Sequence, residues 1–228
     1  MPRTALAPIL SVLVATMLLS ACVGGSGGGG ATYRRPIASK PAPRVQKDDL
    51  TLRQCTAKLD ALSVRYNAVP YQNQGGGCAL VNTVKLLDFG VPSTNLGPMT
   101  CPLAATFAAW SRYAAMPAAR LYLGSEIVRI DTFGTYSCRN INGNPNMAGK
   151  RSEHAHGNAV DVAAFVLADG RRVSVEKNWT AGGPEAQFLR RVRESACKRF
   201  PTVLSPDYNA AHYNHFHFDM GGRGGFCR

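Results

Sequence analysis

Seven cysteines in a chain of 228 residues set the first constraint on folding, because an odd number cannot all pair. One of them, Cys22, follows an opening Met-Pro-Arg and a mostly apolar run from Ala5 to Leu19, the layout of an export signal that ends in small residues. The run is too short, and too closely followed by glycine, for a stable membrane span. The other six, Cys55, Cys78, Cys101, Cys138, Cys197 and Cys227, form an even set in a chain addressed to an oxidising compartment, which favours three disulfides. Spacing does not fix their connectivity. The preferred pair is Cys197 with Cys227, which would pin the glycine-rich C-terminus to a helix.

Leu19-Ser20-Ala21-Cys22 resembles a bacterial lipobox, in which the peptide is cut before the cysteine and the thiol is acylated. Residues 1–21 are therefore expected to be a lipoprotein signal peptide and Cys22 a lipid anchor. Residues 22–47, rich in glycine, proline and basic side chains, read as a flexible tether, and 48–228 as one folded domain. Val23 after the cysteine, where an aspartate would retain the protein, points to a periplasm-facing lipoprotein of the outer membrane. Six of the 26 basic residues and none of the 14 acidic ones fall before Asp48, so the formal charge of +12 shrinks to about +6 on the domain. No nucleic-acid motif accompanies the charge.

Within 48–228 the apolar spacing predicts three helices. The first runs from about Asp49, with Leu52, Cys55, Leu59 and Leu62 on one face; the second is opened by Thr100-Cys101-Pro102, with Leu103, Phe107, Trp110 and Ala114 inward. The third begins near Pro184, with Phe188, Leu189, Val192, Ala196 and Phe200 inward and a basic outer face. Ile127 to Phe133, Tyr136 to Arg139, Ala159 to Leu167 and His215 to Met220 read as short strands. The combination indicates an α+β domain around a small antiparallel sheet core with flanking helices, stabilised by disulfides.

The five histidines fall in two segments, His154 and His156 in one, His212, His215 and His217 in the other. Gly157 separates His154 from a strand on which Asp161 lies between the small residues Ala159 and Ala163 of the same face. In an extended second segment His215, His217 and Asp219 face one way and Phe216 and Phe218 the other. Aromatics can then enter the core while imidazoles line a cleft. Zinc in a catalytic site takes three protein ligands and leaves one position open; His154, Asp161 and one or two later histidines meet that count. Cysteine ligands are disfavoured by export, and His156 is the odd member out.

Ser152-x-His154-x-x-Gly157-x-Ala159-x-Asp161 followed by His212-x-x-His215-x-His217 is similar to the D-Ala-D-Ala metallopeptidase group, which includes lysostaphin-like enzymes and murein endopeptidases. The stretch from Cys55 to Arg228, with Tyr136-Ser137-Cys138-Arg139, Pro206-Asp207-Tyr208-Asn209 and the closing Cys227-Arg228, resembles the bacterial extensin-like C-terminal domain family. The resemblance implies a fold of the hedgehog and D-Ala-D-Ala peptidase type and a Zn2+ site made by His154, Asp161 and His217. It leaves His215 and His212 as catalytic groups that move protons or face a developing oxyanion, and it gives Arg139 a carboxylate or carbonyl of the substrate to grip. Glu153 and Asp207 are the acidic residues expected to orient a histidine from behind. Where one branch of the peptidases carries a glutamate three residues before the last ligand, this chain has Asn214, so a histidine base fits better.

The leading expectation is a lipid-anchored, zinc-dependent peptidoglycan hydrolase that cuts a peptide bond of the stem or cross-link, acting as a monomer with peptidoglycan and the membrane as its partners. A non-catalytic wall-binding module with a structural metal is the alternative from another class. A periplasmic metal carrier is a third, and it leaves Arg139 without a role.

Overall fold

A computed structural model describes residues 47–228. The signal peptide, the Cys22 anchor and the tether as far as residue 46 lie outside the described residues. Helix α1 (Lys47–Ala61) starts two residues before the predicted Asp49. Its inward residues Cys55 and Leu59 are buried as the spacing requires. Six short strands follow: β1 (Arg65–Val69), β2 (Gln72–Gly75), β3 (Cys78–Leu80), β4 (Thr83–Asp88), β5 (Ser93–Thr94) and β6 (Met99–Thr100).

Helix α2 (Cys101–Trp110) follows Thr100, with Pro102 in its first turn where the missing amide costs nothing. A π turn over Ser111–Ala115 carries the helix into α3 (Met116–Leu123), which stops at Gly124 with φ of 65°. The wide turn sits directly before Pro117, a residue that cannot donate the amide a regular turn would ask of it. Ser111 Oγ donates to the Phe107 carbonyl at 2.8 Å within the same stretch.

The remaining elements are β7 (Ile127–Gly134), β8 (Ala159–Leu167), β9 (Arg172–Ser174), α4 (Val175–Asn178), α5 (Gly183–Cys197), β10 (Thr202–Leu204), β11 (Phe216–Asp219) and β12 (Phe226–Cys227). The main sheet runs β12-β10-β11-β8-β7-β5, with β9 also on β8, and is antiparallel except where β5 joins β7 and β12 joins β10. β1, β4 and β6 form a second small sheet, and β2 and β3 a hairpin. The domain is thus α+β, with the helices and the largely antiparallel sheet expected of it.

One face of the main sheet packs on α2 and α5. The Trp110 ring lies 5.1 Å from Phe218 and 6.2 Å from Phe165, Phe188 meets Phe165 at 5.0 Å, and Trp110 Nε1 donates to the Val192 carbonyl at 3.1 Å. Each aromatic so buried contributes roughly 1.5–3 kcal/mol by removal of its surface from water. Three disulfides brace the rim, Cys55–Cys101, Cys78–Cys138 and the expected Cys197–Cys227.

Tyr136 to Arg139 is not a strand. Ser137 N donates to the His154 carbonyl, Ser152 N donates to the Arg139 carbonyl, and Cys138 is tied to the β2–β3 hairpin, so the segment is a loop clamped from three sides. Its β-favouring composition yields to those tertiary ties. Among the described residues no helix is long and apolar enough to cross a membrane.

Candidate metal centre

Strands β8 and β11 pair antiparallel with Asp161 directly opposite His217. Because side chains alternate, that register puts Asp161, His217 and Asp219 on the sheet face away from the helices, while Val160, Val162, Phe216 and Phe218 enter the core. His154 arrives from a single 3-10 turn, Glu153–His156, in which the His154 amide donates to the Ser152 hydroxyl and the Ala155 amide to the Ser152 carbonyl. Gly157 then turns the chain into β8 with φ of +62°. A Cβ there would stand 3.0 Å from Leu80 Cδ2 and 3.2 Å from the Pro98 carbonyl, so glycine is required by both backbone and space.

The three side chains converge. His154 Nε2 lies 3.1 Å from Asp161 Oδ2 and 3.2 Å from His217 Nδ1, and His217 Nδ1 lies 2.9 Å from Asp161 Oδ1. One ligand atom from each falls within 4.8 Å of the others, and all three residues are buried. The outward nitrogens are also held: His154 Nδ1 against the Thr135 carbonyl at 3.2 Å and His217 Nε2 against Asp219 Oδ2 at 2.9 Å. A donor hydrogen on each outward nitrogen lets the inward one give up its own hydrogen to a metal and offer a lone pair, the arrangement in which imidazole ligates. Two imidazoles and a carboxylate are a donor set suited to zinc.

The other predicted residues gather around this group with unequal closeness. His215 Nε2 is 3.6 Å from Asp161 Oδ1, with Nδ1 on Asn214 Oδ1 at 2.8 Å. His212 turns Nδ1 to Asn209 Oδ1 at 2.7 Å, and its ring stands 5.2 Å from His215 and 5.8 Å from His217. Arg139 shares with His212, His217, Asp219, Arg151 and Tyr208 the wall of a cleft of ≈ 270 Å³. His156 lies apart, beside Thr100 and Asn158 in a different depression. Glu153 accepts from Asn158 Nδ2 at 2.6 Å and Asp207 from Trp179 Nε1 at 2.7 Å, so among the described contacts neither reaches a site histidine. Both instead hold neighbouring loops.

The carboxylate behind His217 is Asp219, further fixed by the Gly221 amide at 2.8 Å. Its alternation with His217 was visible in the sequence, but its role follows from the two-residue reach of one strand face. Thr135, whose carbonyl serves His154, had no sequence signal, since any residue supplies a carbonyl.

Electrostatics follow the contacts. Burial alone would raise the Asp161 carboxyl, yet hydrogen bonds from His154 and His217 hold it far below the usual carboxylate range. Burial would lower His217, but Asp161 and Asp219 on its two nitrogens lift it to about 9. His212 is pushed down to about 4, first by burial and then by the neighbouring His217 and His215. Burial also lowers His215, with Asp161 opposing.

Searches among curated proteins and among solved structures found no match to the chain. The family model described as extensin-like protein C-terminus matches residues 53–228, an interval that holds all three disulfides, the converging His-Asp-His group and the cleft beside it. That match spans well over half of the sequence, and the chain belongs to the extensin-like protein C-terminus family.

Proposed function

We propose that this chain is a zinc-dependent peptidoglycan hydrolase of metallopeptidase type, lipid-anchored in the cell envelope through Cys22 and facing the periplasm, which cleaves a peptide bond of the stem or cross-link. The observation that carries the reading is the convergence of His154 Nε2, Asp161 and His217 Nδ1 beside a cleft walled by Arg139 and His212. His154, Asp161 and His217 would hold the metal. When bound, zinc supplies Lewis acidity to a carbonyl oxygen and makes water acidic enough to lose a proton near neutral pH.

The rest of the chemistry belongs to the chain. The Asn214 side-chain oxygen against His215 Nδ1 selects the tautomer with the hydrogen on Nδ1, so Nε2 faces the site as a proton acceptor. His212, fixed likewise by Asn209, offers its own Nε2 from the cleft wall, where a proton can be returned to a leaving amine. The planar guanidinium of Arg139 suits a substrate carboxylate or polarised carbonyl. Asp219 and the Thr135 carbonyl keep the ligand rings from rotating.

The test is digestion of purified sacculi by zinc-loaded protein, with the released muropeptides read by mass spectrometry. New amine and carboxyl ends are expected with the wild type and none with His154→Ala. Identical products from the two proteins would overturn the proposal; retention on sacculi without new ends would favour a wall-binding module whose metal is structural.

A further inference from the structure

The main sheet separates a site side from a helix side. Asp161, His217 and Asp219 project from one face, and Phe218 projects from the other onto Trp110 of the helix layer. The outward surface of that layer therefore points away from the cleft. Along it Tyr113, Pro117 and Leu121 recur every four residues and share one stripe. Leu121 is 77% exposed and Tyr113 59%. Both line a depression of ≈ 290 Å³ together with Arg191 of α5 and Lys198 and Arg199 of the turn after it.

These cations have little acidic company. Among the described ion pairs one carboxylate meets them, Glu194 at 3.6 Å from Arg191, and both of those side chains are more than half exposed. Arg199 is turned to Ser195, a neutral partner. A basic helix face alone is commonly just solvated. A leucine and a tyrosine standing out of the surface in its midst are different, because aliphatic and aromatic side chains enter the headgroup boundary of a bilayer while arginine and lysine meet its phosphates. A hydrated anionic polymer would use the cations and leave Leu121 in water.

We propose that this face, built by Tyr113 and Leu121 with Arg191, Lys198 and Arg199, docks on an anionic phospholipid surface and so turns the cleft of the opposite sheet face away from the membrane. The proposal does not depend on hydrolysis, and its test reads no catalysis, so either reading can fail without the other.

Hydroxyl-radical footprinting of the full chain, free and with phosphatidylcholine vesicles containing about 30 mol % phosphatidylglycerol, measures the contact directly. Oxidation of Tyr113 and Leu121 should fall about threefold or more on those vesicles, while Tyr71, 65% exposed just before the β2–β3 hairpin, keeps its rate. Arg191→Glu with Lys198→Glu should abolish the protection, and salt near 1 M should weaken it by screening. Unchanged oxidation of Tyr113 and Leu121 on anionic vesicles would overturn the proposal. So would equal protection of Tyr71, which signals unspecific adhesion, or protection by sacculi but not by vesicles.

Discussion

Strands β8 and β11 bury two kinds of surface on opposite faces. On one, Val160, Val162, Phe216 and Phe218 pack under Trp110 and Trp179 with no polar atom among their side chains. On the other, Asp161, His217 and Asp219 are almost as deeply buried, yet each is held by hydrogen bonds to other polar groups. The first face is held by loss of water, which is insensitive to pH and indifferent to small changes of angle. The second is held by mutual satisfaction of groups that would be costly if any one were left alone. Two chemistries thus share one pair of strands, and a substitution should reveal which face it strikes.

The largest effect separates the faces outright. Phe218→Ala should cost about 3–5 kcal/mol of stability in urea denaturation, while the folded fraction keeps the metal stoichiometry of the wild type. A loss of metal at full stability would merge the two faces into one. Next in size, Asp219→Asn keeps the shape but weakens the acceptor behind His217, and zinc affinity in a competition titration should fall roughly 10–100-fold. Little change in affinity would mean that His217 is positioned by packing alone.

A third effect, read in stability against pH, belongs to the polar face alone. With His217 lifted to about 9 in the folded state against an unfolded value of about 6.5, its proton stabilises the metal-free domain fully below about 6.5 and progressively less as pH rises through 9. Thermal melts in chelator should therefore fall between about pH 6.5 and 9, whereas zinc, competing for the same Nδ1, should bind more tightly over that interval. Melts that rise with pH in chelator would reverse the assignment of the His217 proton.

Much of this arrangement was legible because it is local. Ala159 to Leu167 is a strand with the predicted ends and Pro184 opens α5, each signalled by residues within a few positions of the feature, and the preferred pair Cys197–Cys227 is formed across 30 residues. The nearness of His154 and Asp161 to the later histidines was legible from strand periodicity and one glycine turn, whereas the choice of His217 as the third member was what the family resemblance implied. Features set by distant contacts were not. Tyr136 to Arg139 has strand composition but is fastened by Cys78 and the His154 carbonyl. Glu153 and Asp207 are acidic and near in sequence, yet Asn158 and Trp179 claim them. β2 is polar throughout and β5 and β6 have two residues each, too little to rise above the pattern of a loop.

Gly157 carries a consequence for how such a site can vary over descent. It joins the turn that holds His154 to the strand that holds Asp161, in a conformation and a gap that admit no other residue without strain. The interval between the two side chains cannot drift by insertion, and neither can be re-aimed while the other stays. They form a single heritable cassette, kept or lost together. His217 reaches them through strand pairing, a separate connection.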